Sequence, residues 1–274
     1  MKKIWFALLL GISLTLMPDN APGIVQKSVK YNFLAHDLGE REVIEIRRMV
    51  DLGIGEVEKF FSLEYVHEFT VAVYKNRASL DRAWQIEWNK PDFKSECWMV
   101  ASGIADNLDL LAPSTWDKES CDHSSGDTAA TQKIITHELV HVFHAQRNPS
   151  HDFAEVQNMD WFIEGLAVYA SGQLDSTRMS SVKNLIEKGN TPACLADFWK
   201  GKEKYGLAGS IVMYIDQHYG RAKICSLLKM KNCDELLAKL SRNEQELIED
   251  WHNSTTGSDR NKSFNRKEIW RKRH

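Results

Sequence analysis

His137-Glu138-Leu139-Val140-His141 is the stretch of this chain whose residue types and spacing could do chemistry. On a helix, residues four apart stand about 40° apart around the axis and one turn up. His137 and His141 can then present imidazole nitrogens to one ion. Glu138 sits about 100° round from His137, beside the ion rather than on it, where a carboxylate can take a proton from an attacking water. The pattern implies a zinc-dependent hydrolase, most often one acting on peptides.

Three fixed positions in a chain with ten histidines make a short pattern, so its surroundings matter. Residues 128–147 contain no Pro or Gly and are bounded by Gly126 and Pro149. Ile134, Ile135, Val142 and Phe143 surround the motif with apolar bulk. A buried helix is what a preorganised metal site needs. Two histidines and a glutamate on such a helix would be costly without a partner.

Catalytic zinc usually has three protein ligands and one water. A metzincin would continue with Gly and His at the third and sixth positions after His141. Those positions hold His144 and Arg147, which excludes that class. Glu164 is the better source of a third donor. It is the only charge after Asp160 in the apolar run Asp160-Trp-Phe-Ile-Glu-Gly-Leu-Ala-Val-Tyr169, and a lone carboxylate in such a helix is more often a ligand or partner than a solvated charge. His151, in a loop, is the alternative third ligand. The small Gly165 and Ala167 permit close packing against the first helix. Asp160 reads as a helix N-cap or as a carboxylate orienting an imidazole. His144 reads as a packing or capping residue. His123, beside Cys121, reads as a loop polar residue.

The pair His-Glu-Leu-Val-His-Val-Phe-His (137–144) and Trp-Phe-Ile-Glu-Gly-Leu-Ala-Val-Tyr (161–169) resembles the gluzincin metallopeptidases, closest to the peptidase MA-like group, small relatives of thermolysin and the zinc aminopeptidases. The resemblance is motif-level over 131–170 and pattern-level over roughly 66–220. It implies one zinc ion per chain held by His137, His141 and Glu164, with Glu138 as general base. His141 and Glu164 are slightly farther apart than in the zinc aminopeptidases, which fits a variable loop at 145–158. In thermolysin-like relatives a His or Tyr stabilises the oxyanion; Tyr205, opening a small-residue helix, is the candidate here, ahead of Tyr169 and His218. Residues 103–113 resemble the family's edge strand beside the cleft, so 107–112 is expected to hold an extended peptide by β-addition. Residues 205–220 resemble its closing helix. No Gly-x-Met-Glu-Asn run is present to bind a substrate amine, which favours an endopeptidase or an oligopeptide substrate over an aminopeptidase. The competing class is a catalytically weak or inactive zinc-bound binding module of the same fold. The intact Glu138 argues against it, because binding alone needs no base there.

The elements that must position these residues follow from periodicity. Helical spacing is expected over 37–61, a strand at 69–74, a helix near 79–88, and short strands at 97–104 and 107–112. Residues 114–126 read as a polar loop. From 128 onward the chain reads as helical, with breaks near 149, 172, 190–192, 201, 220 and 256. The fold class is α+β and zincin-like: one domain over 23–256, with an α+β half (23–148) carrying a small mixed sheet and the metal helix, and a mostly helical half (149–256).

At 274 residues and 43% hydrophobic, the chain can bury a sizeable core. The net charge of −3 hides a basic tail over 257–274: residues 260–274 hold seven Lys/Arg and one Glu. That tail reads as a solvated end, or as a contact for a membrane surface or anionic polymer. Nothing else suggests nucleic acid. Lys2 and Lys3 precede an apolar run from Ile4 to Met17, so 1–22 reads as a signal peptide or signal anchor and the chain as exported. Anchored there, it would be a membrane-associated regulatory protease rather than a free enzyme. With export, one or two disulfides are expected among five scattered cysteines. Proximity suggests Cys97–Cys121 and Cys225–Cys233.

Overall fold

The computed structural model describes residues 31–35 and 37–257. The expected signal segment and all of the basic tail beyond Gly257 lie outside the described residues. In chain order the elements are β1 (Tyr31–Ala35), α1 (Glu40–Phe61), β2 (Phe69–Tyr74), α2 (Arg77–Glu87), β3 (Ala101–Ile104), β4 (Asn107–Leu111), α3 (Trp116–Glu119), α4 (Thr128–Ala145), α5 (Asp160–Ala170), α6 (Ser176–Glu187), α7 (Lys204–Tyr219), α8 (Arg221–Leu227), α9 (Cys233–Leu240) and α10 (Glu244–Thr256). The architecture is mixed and mostly helical, with one four-stranded sheet of order β1-β2-β4-β3. β1, β2 and β4 run parallel, and β3 is antiparallel to β4.

The sheet has a helix on each face. Gly103 of β3 faces α4: a Cβ there would stand 2.3 Å from the Glu138 carbonyl oxygen. Leu108 of β4 is its cross-strand partner and therefore shares that face. Asp109 points the other way, where Trp84 of α2 donates its indole N–H to Asp109 Oδ2 at 3.0 Å. β2 and β4 are thus covered on both sides, which is why Val71, Ala72, Val73, Leu108, Asp109, Leu110 and Leu111 are all buried.

This corrects one expectation. Residues 107–112 are not the edge strand; β4 lies between β2 and β3, and β3 (101–104) forms the edge. The near-continuous burial of 108–111 is the signature of an interior strand. The strand expected at 97–104 is present as the shorter β3, and its place at the edge is set by pairing with β4, which no local periodicity records. β1 is a further strand that periodicity did not reveal, a half-exposed five-residue edge element.

α1 buries Ile46, Met49, Val50, Gly53, Ile54, Val57 and Phe61 along one stripe and lays it against α4. Gln132 of α4 donates to the Met49 carbonyl at 2.9 Å. The expected helix breaks near 172, 201 and 220 coincide with glycines at positive φ. An additional break at Ser241 went unseen because a serine, not a glycine, takes the left-handed conformation there (φ 55°). Asn243 and Glu246 then close a capping box that starts α10. The polar stretch 114–126 is mostly loop, but Trp116 opens the short α3 and buries its ring, donating to the Leu111 carbonyl at 2.9 Å.

Gly165 packs against α7, not against α4 as its small size was expected to allow, and α5 and α7 lie closer than bulky residues would permit. A Cβ on Gly165 would meet the Ala208 carbonyl oxygen at 2.4 Å and its carbon at 2.7 Å. Both are backbone atoms that cannot swing aside. Gly165→Ala is expected to destabilise the protein by about 2 kcal/mol, although alanine is the better helix former by about 1 kcal/mol. A urea-unfolding midpoint equal to that of the parent chain would contradict this packing.

Cys97 and Cys121 form a disulfide with Cα atoms 5.4 Å apart, tying the loop before β3 to the end of α3. Cys225 and Cys233 are not joined and, with Cys194, are free thiols. Cys225 Sγ instead faces the Phe61 carbonyl oxygen at 3.8 Å. Nearness in sequence does not by itself bring two thiols to bonding distance, because their placement depends on the helices that carry them. No helix among the described residues is long and apolar enough to cross a membrane.

Candidate metal centre

α4 starts at Asp127, whose side chain accepts the Ala130 N–H at 2.9 Å. Its length is held by neighbours on several sides. Thr136 Oγ1 donates to Glu56 Oε2 at 3.1 Å, and the Tyr65 hydroxyl donates to the Leu139 carbonyl at 2.9 Å. At the C-terminal end, the Gln146 amide donates to the His67 and Ala105 carbonyls, each at 3.0 Å. A helix fixed this way presents His137 and His141 with little freedom to drift.

The Nε2 atoms of His137 and His141 are 3.0 Å apart. Glu164 Oε2, from α5, lies 3.3 Å from His137 Nε2 and 3.6 Å from His141 Nε2. The three donors form a group that could hold a metal ion. A tetrahedral ion bound at about 2.05 Å requires donors about 3.3 Å apart. The observed edges average 3.3 Å. His137, His141 and Glu164 would hold such an ion as its three protein donors. Two neutral imidazoles and one carboxylate suit a borderline ion rather than a hard one. Both histidine side chains are 9% exposed, whereas the Glu164 side chain is 29% exposed, so the group is reachable from the Glu164 side.

The electrostatics of the metal-free group point the same way. Burial opposes charge on Glu164, but the His141 and His137 imidazoles outweigh it and hold the carboxyl far below its ordinary range. Burial also opposes charge on His141, and the Glu164 carboxylate again outweighs it, raising the imidazole. His137 Nδ1 is buried with no hydrogen-bond partner among the described residues.

Glu138 is half-buried, outside the donor triangle, with β3 against its backbone at Gly103. Tyr205, second residue of α7, is half-buried with its ring 5.0 Å from that of Trp199. Burial, then the Glu164 and Glu138 carboxylates, push its hydroxyl up. Tyr205 therefore shares the field of the site. Tyr169 does not serve it, because its hydroxyl donates to Asp216 Oδ2 at 2.9 Å, which also holds Arg221. His218 is exposed and stacked on Tyr214. His151 is exposed and outside the donor group. Asp160 is exposed in the first turn of α5, and Met159 occupies the N-cap. His123 faces the Trp98 carbonyl at 3.2 Å.

His144 is fully buried, with Nε2 3.1 Å from the Leu228 carbonyl and Nδ1 without a hydrogen-bond partner among the described residues. It is a packing residue between Phe153 and Phe162. Burial, then His141, push its imidazole down to about 3. The folded chain therefore binds fewer protons here than the unfolded chain between about pH 3 and 6.5, and stability falls as pH drops through that window. His144→Gln, which keeps the donor to Leu228, is expected to lessen the loss between pH 7 and pH 5 by about 2 kcal/mol. Urea unfolding at both pH values measures it; parallel losses in the two chains would show that His144 does not titrate this way.

No protein-family model matches the chain, and no curated protein matches it significantly.

Proposed function

We propose that the protein is a zinc metallopeptidase of the gluzincin type with a zincin-like fold. The observation that carries this reading is the donor triangle of His137, His141 and Glu164, with edges of 3.0, 3.3 and 3.6 Å, beside a carboxylate that is not part of it. A helix bearing the two histidines against a small mixed sheet, and a second helix bearing the glutamate, support the fold reading. Zinc bound by these donors supplies Lewis acidity toward the scissile carbonyl and an activated water at neutral pH.

Glu138 takes the proton from the attacking water and delivers it to the leaving amine. Tyr205 donates its hydroxyl hydrogen to the oxygen on which negative charge develops; its raised pKa keeps that hydrogen in place at neutral pH. The free edge of β3, which replaces the strand expected to do so, holds the substrate extended by backbone hydrogen bonds. Such an edge favours a peptide or protein substrate over a sugar or lipid. The Cys97–Cys121 disulfide supports an oxidising compartment and hence export.

The test is elemental analysis and peptide-library cleavage on the same full-length sample. About one zinc per chain and cleavage abolished by a chelator, then restored by zinc, are expected. A folded chain that takes up no metal from excess zinc would refute the reading.

A further inference from the structure

The ammonium of Lys204, first residue of α7, sits among three aromatic rings. Its Nζ lies 4.6 Å from the centre of the Trp199 ring, 5.3 Å from Tyr205 and 5.4 Å from Trp98. Among the described residues no carboxylate lies within ion-pair distance of it, and it donates no hydrogen bond. Rings shed water from a cation and return part of the lost solvation through their faces, but they are weaker partners than an anion. The neighbouring Arg178, 5.6 Å from the Tyr205 ring, differs in this respect: Asp175 Oδ2 at 3.6 Å and the Gln173 carbonyl at 2.6 Å already hold it.

The position of this lysine gives its missing partner a source. Tyr205 follows it directly and lies in the field of Glu164 and Glu138. Trp98 comes from the loop that leads into β3, the edge strand beside Glu138. That loop is firmly held: Arg77 donates to Ser95 Oγ at 2.7 Å, to the Met99 carbonyl at 2.8 Å and to the Cys97 carbonyl at 3.0 Å, and Cys97 is bonded to Cys121. Trp98 itself remains 45% exposed. The cluster therefore draws on both walls of the site, one from the sheet side and one from α7. An aromatic cage for a cationic ligand is ruled out, since the chain's own ammonium fills it.

Resting on the peptidase reading, we propose that Lys204 with Trp98 and Trp199 forms a specificity subsite for an acidic peptide, pairing a substrate carboxylate with the caged ammonium. An extended peptide lying along β3 runs toward Trp98, so an Asp or Glu side chain, or a terminal carboxylate, reaches Lys204 while its stem rests on the rings.

Binding is measured by calorimetry on the full-length chain carrying Glu138→Gln. The probes are blocked hexapeptides in which one Glu is moved along an alanine frame, each with a Gln counterpart; an unblocked C-terminus forms a separate arm. At one position the Glu peptide, or the free carboxylate, is expected to bind about tenfold more tightly than its neutral counterpart. Lys204→Gln should erase that preference, Lys204→Arg retain most of it, and Trp199→Leu reduce it. Equal affinity for charged and neutral peptides at every position, or a preference unchanged by Lys204→Gln, overturns the subsite. Cleavage of the same peptides by the unmutated chain separates the two claims. A carboxylate preference in binding without cleavage supports the subsite and counts against the peptidase. Cleavage indifferent to the carboxylate does the reverse.

Discussion

Glu138→Gln is expected to lower kcat/KM for peptide cleavage by about 10²–10⁴-fold while leaving zinc content unchanged. The amide has the size and shape of the carboxylate but cannot accept a proton at neutral pH. Glu138 lies outside the triangle formed by His137, His141 and Glu164, so its charge is not needed to hold the ion. Its backbone carries no exceptional demand beyond the close approach of Gly103, which the substitution leaves alone. Side-by-side assays of cleavage and metal content decide the matter. Cleavage within a few-fold of the parent rate would remove Glu138 from the base role. Loss of metal would show that the donor set is larger than three.

Glu164→Ala is expected to have the opposite signature: the metal itself is lost. The change removes one of three protein donors and leaves two imidazoles with no charge-neutralising oxygen. Altering groups that merely orient ligands costs about 10–100-fold in metal affinity, and removing a ligand should exceed that. The thermal readout follows by linkage. Zinc at 100 times its dissociation constant adds about 2.7 kcal/mol to stability, and the same zinc should leave the Glu164→Ala midpoint nearly unmoved. Equal zinc-induced shifts in both chains would take Glu164 out of the ligand set.

The metal-free chain tests the same triangle by pH. The depressed Glu164 carboxyl contributes stability that is present above about 4.5, its unfolded value, and is lost as pH falls. The raised His141 contributes stability that is present below about 6.5 and is lost as pH rises through its folded value. Both contributions are complete only between those limits. In Glu164→Ala the bell between them should flatten.

Much of the site was legible in the residues themselves. The spacing of His137 and His141 places two imidazoles on one helical face whatever surrounds them, because the helix repeat is set by backbone hydrogen bonds. Glu164 stood out as a lone charge in an apolar run, since such a charge needs a partner. The alternation of 69–74 and the stripe of α1 likewise follow from local periodicity and burial. Proximity suggests the Cys97–Cys121 pair, which forms, but it offers Cys225–Cys233 equally, and those two remain free thiols.

What the sequence determined by itself is therefore the local chemistry: which side chains share a helix face, and which charges lack solvent. The tertiary structure decided everything that depends on one element's position against another. It put β4 inside the sheet and β3 at its edge, because strand order is a matter of pairing between distant segments and leaves no periodic trace. It brought Glu164 of α5 within 3.6 Å of both imidazoles of α4 and seated Gly165 on the backbone of α7. It engaged the Tyr169 hydroxyl with Asp216 and set the Tyr205 ring against Trp199, although both are tyrosines near helix ends. It also gathered Trp98, Trp199 and Lys204 from segments about a hundred residues apart. No window along the chain contains that contact, because its energy exists only once the two walls have met.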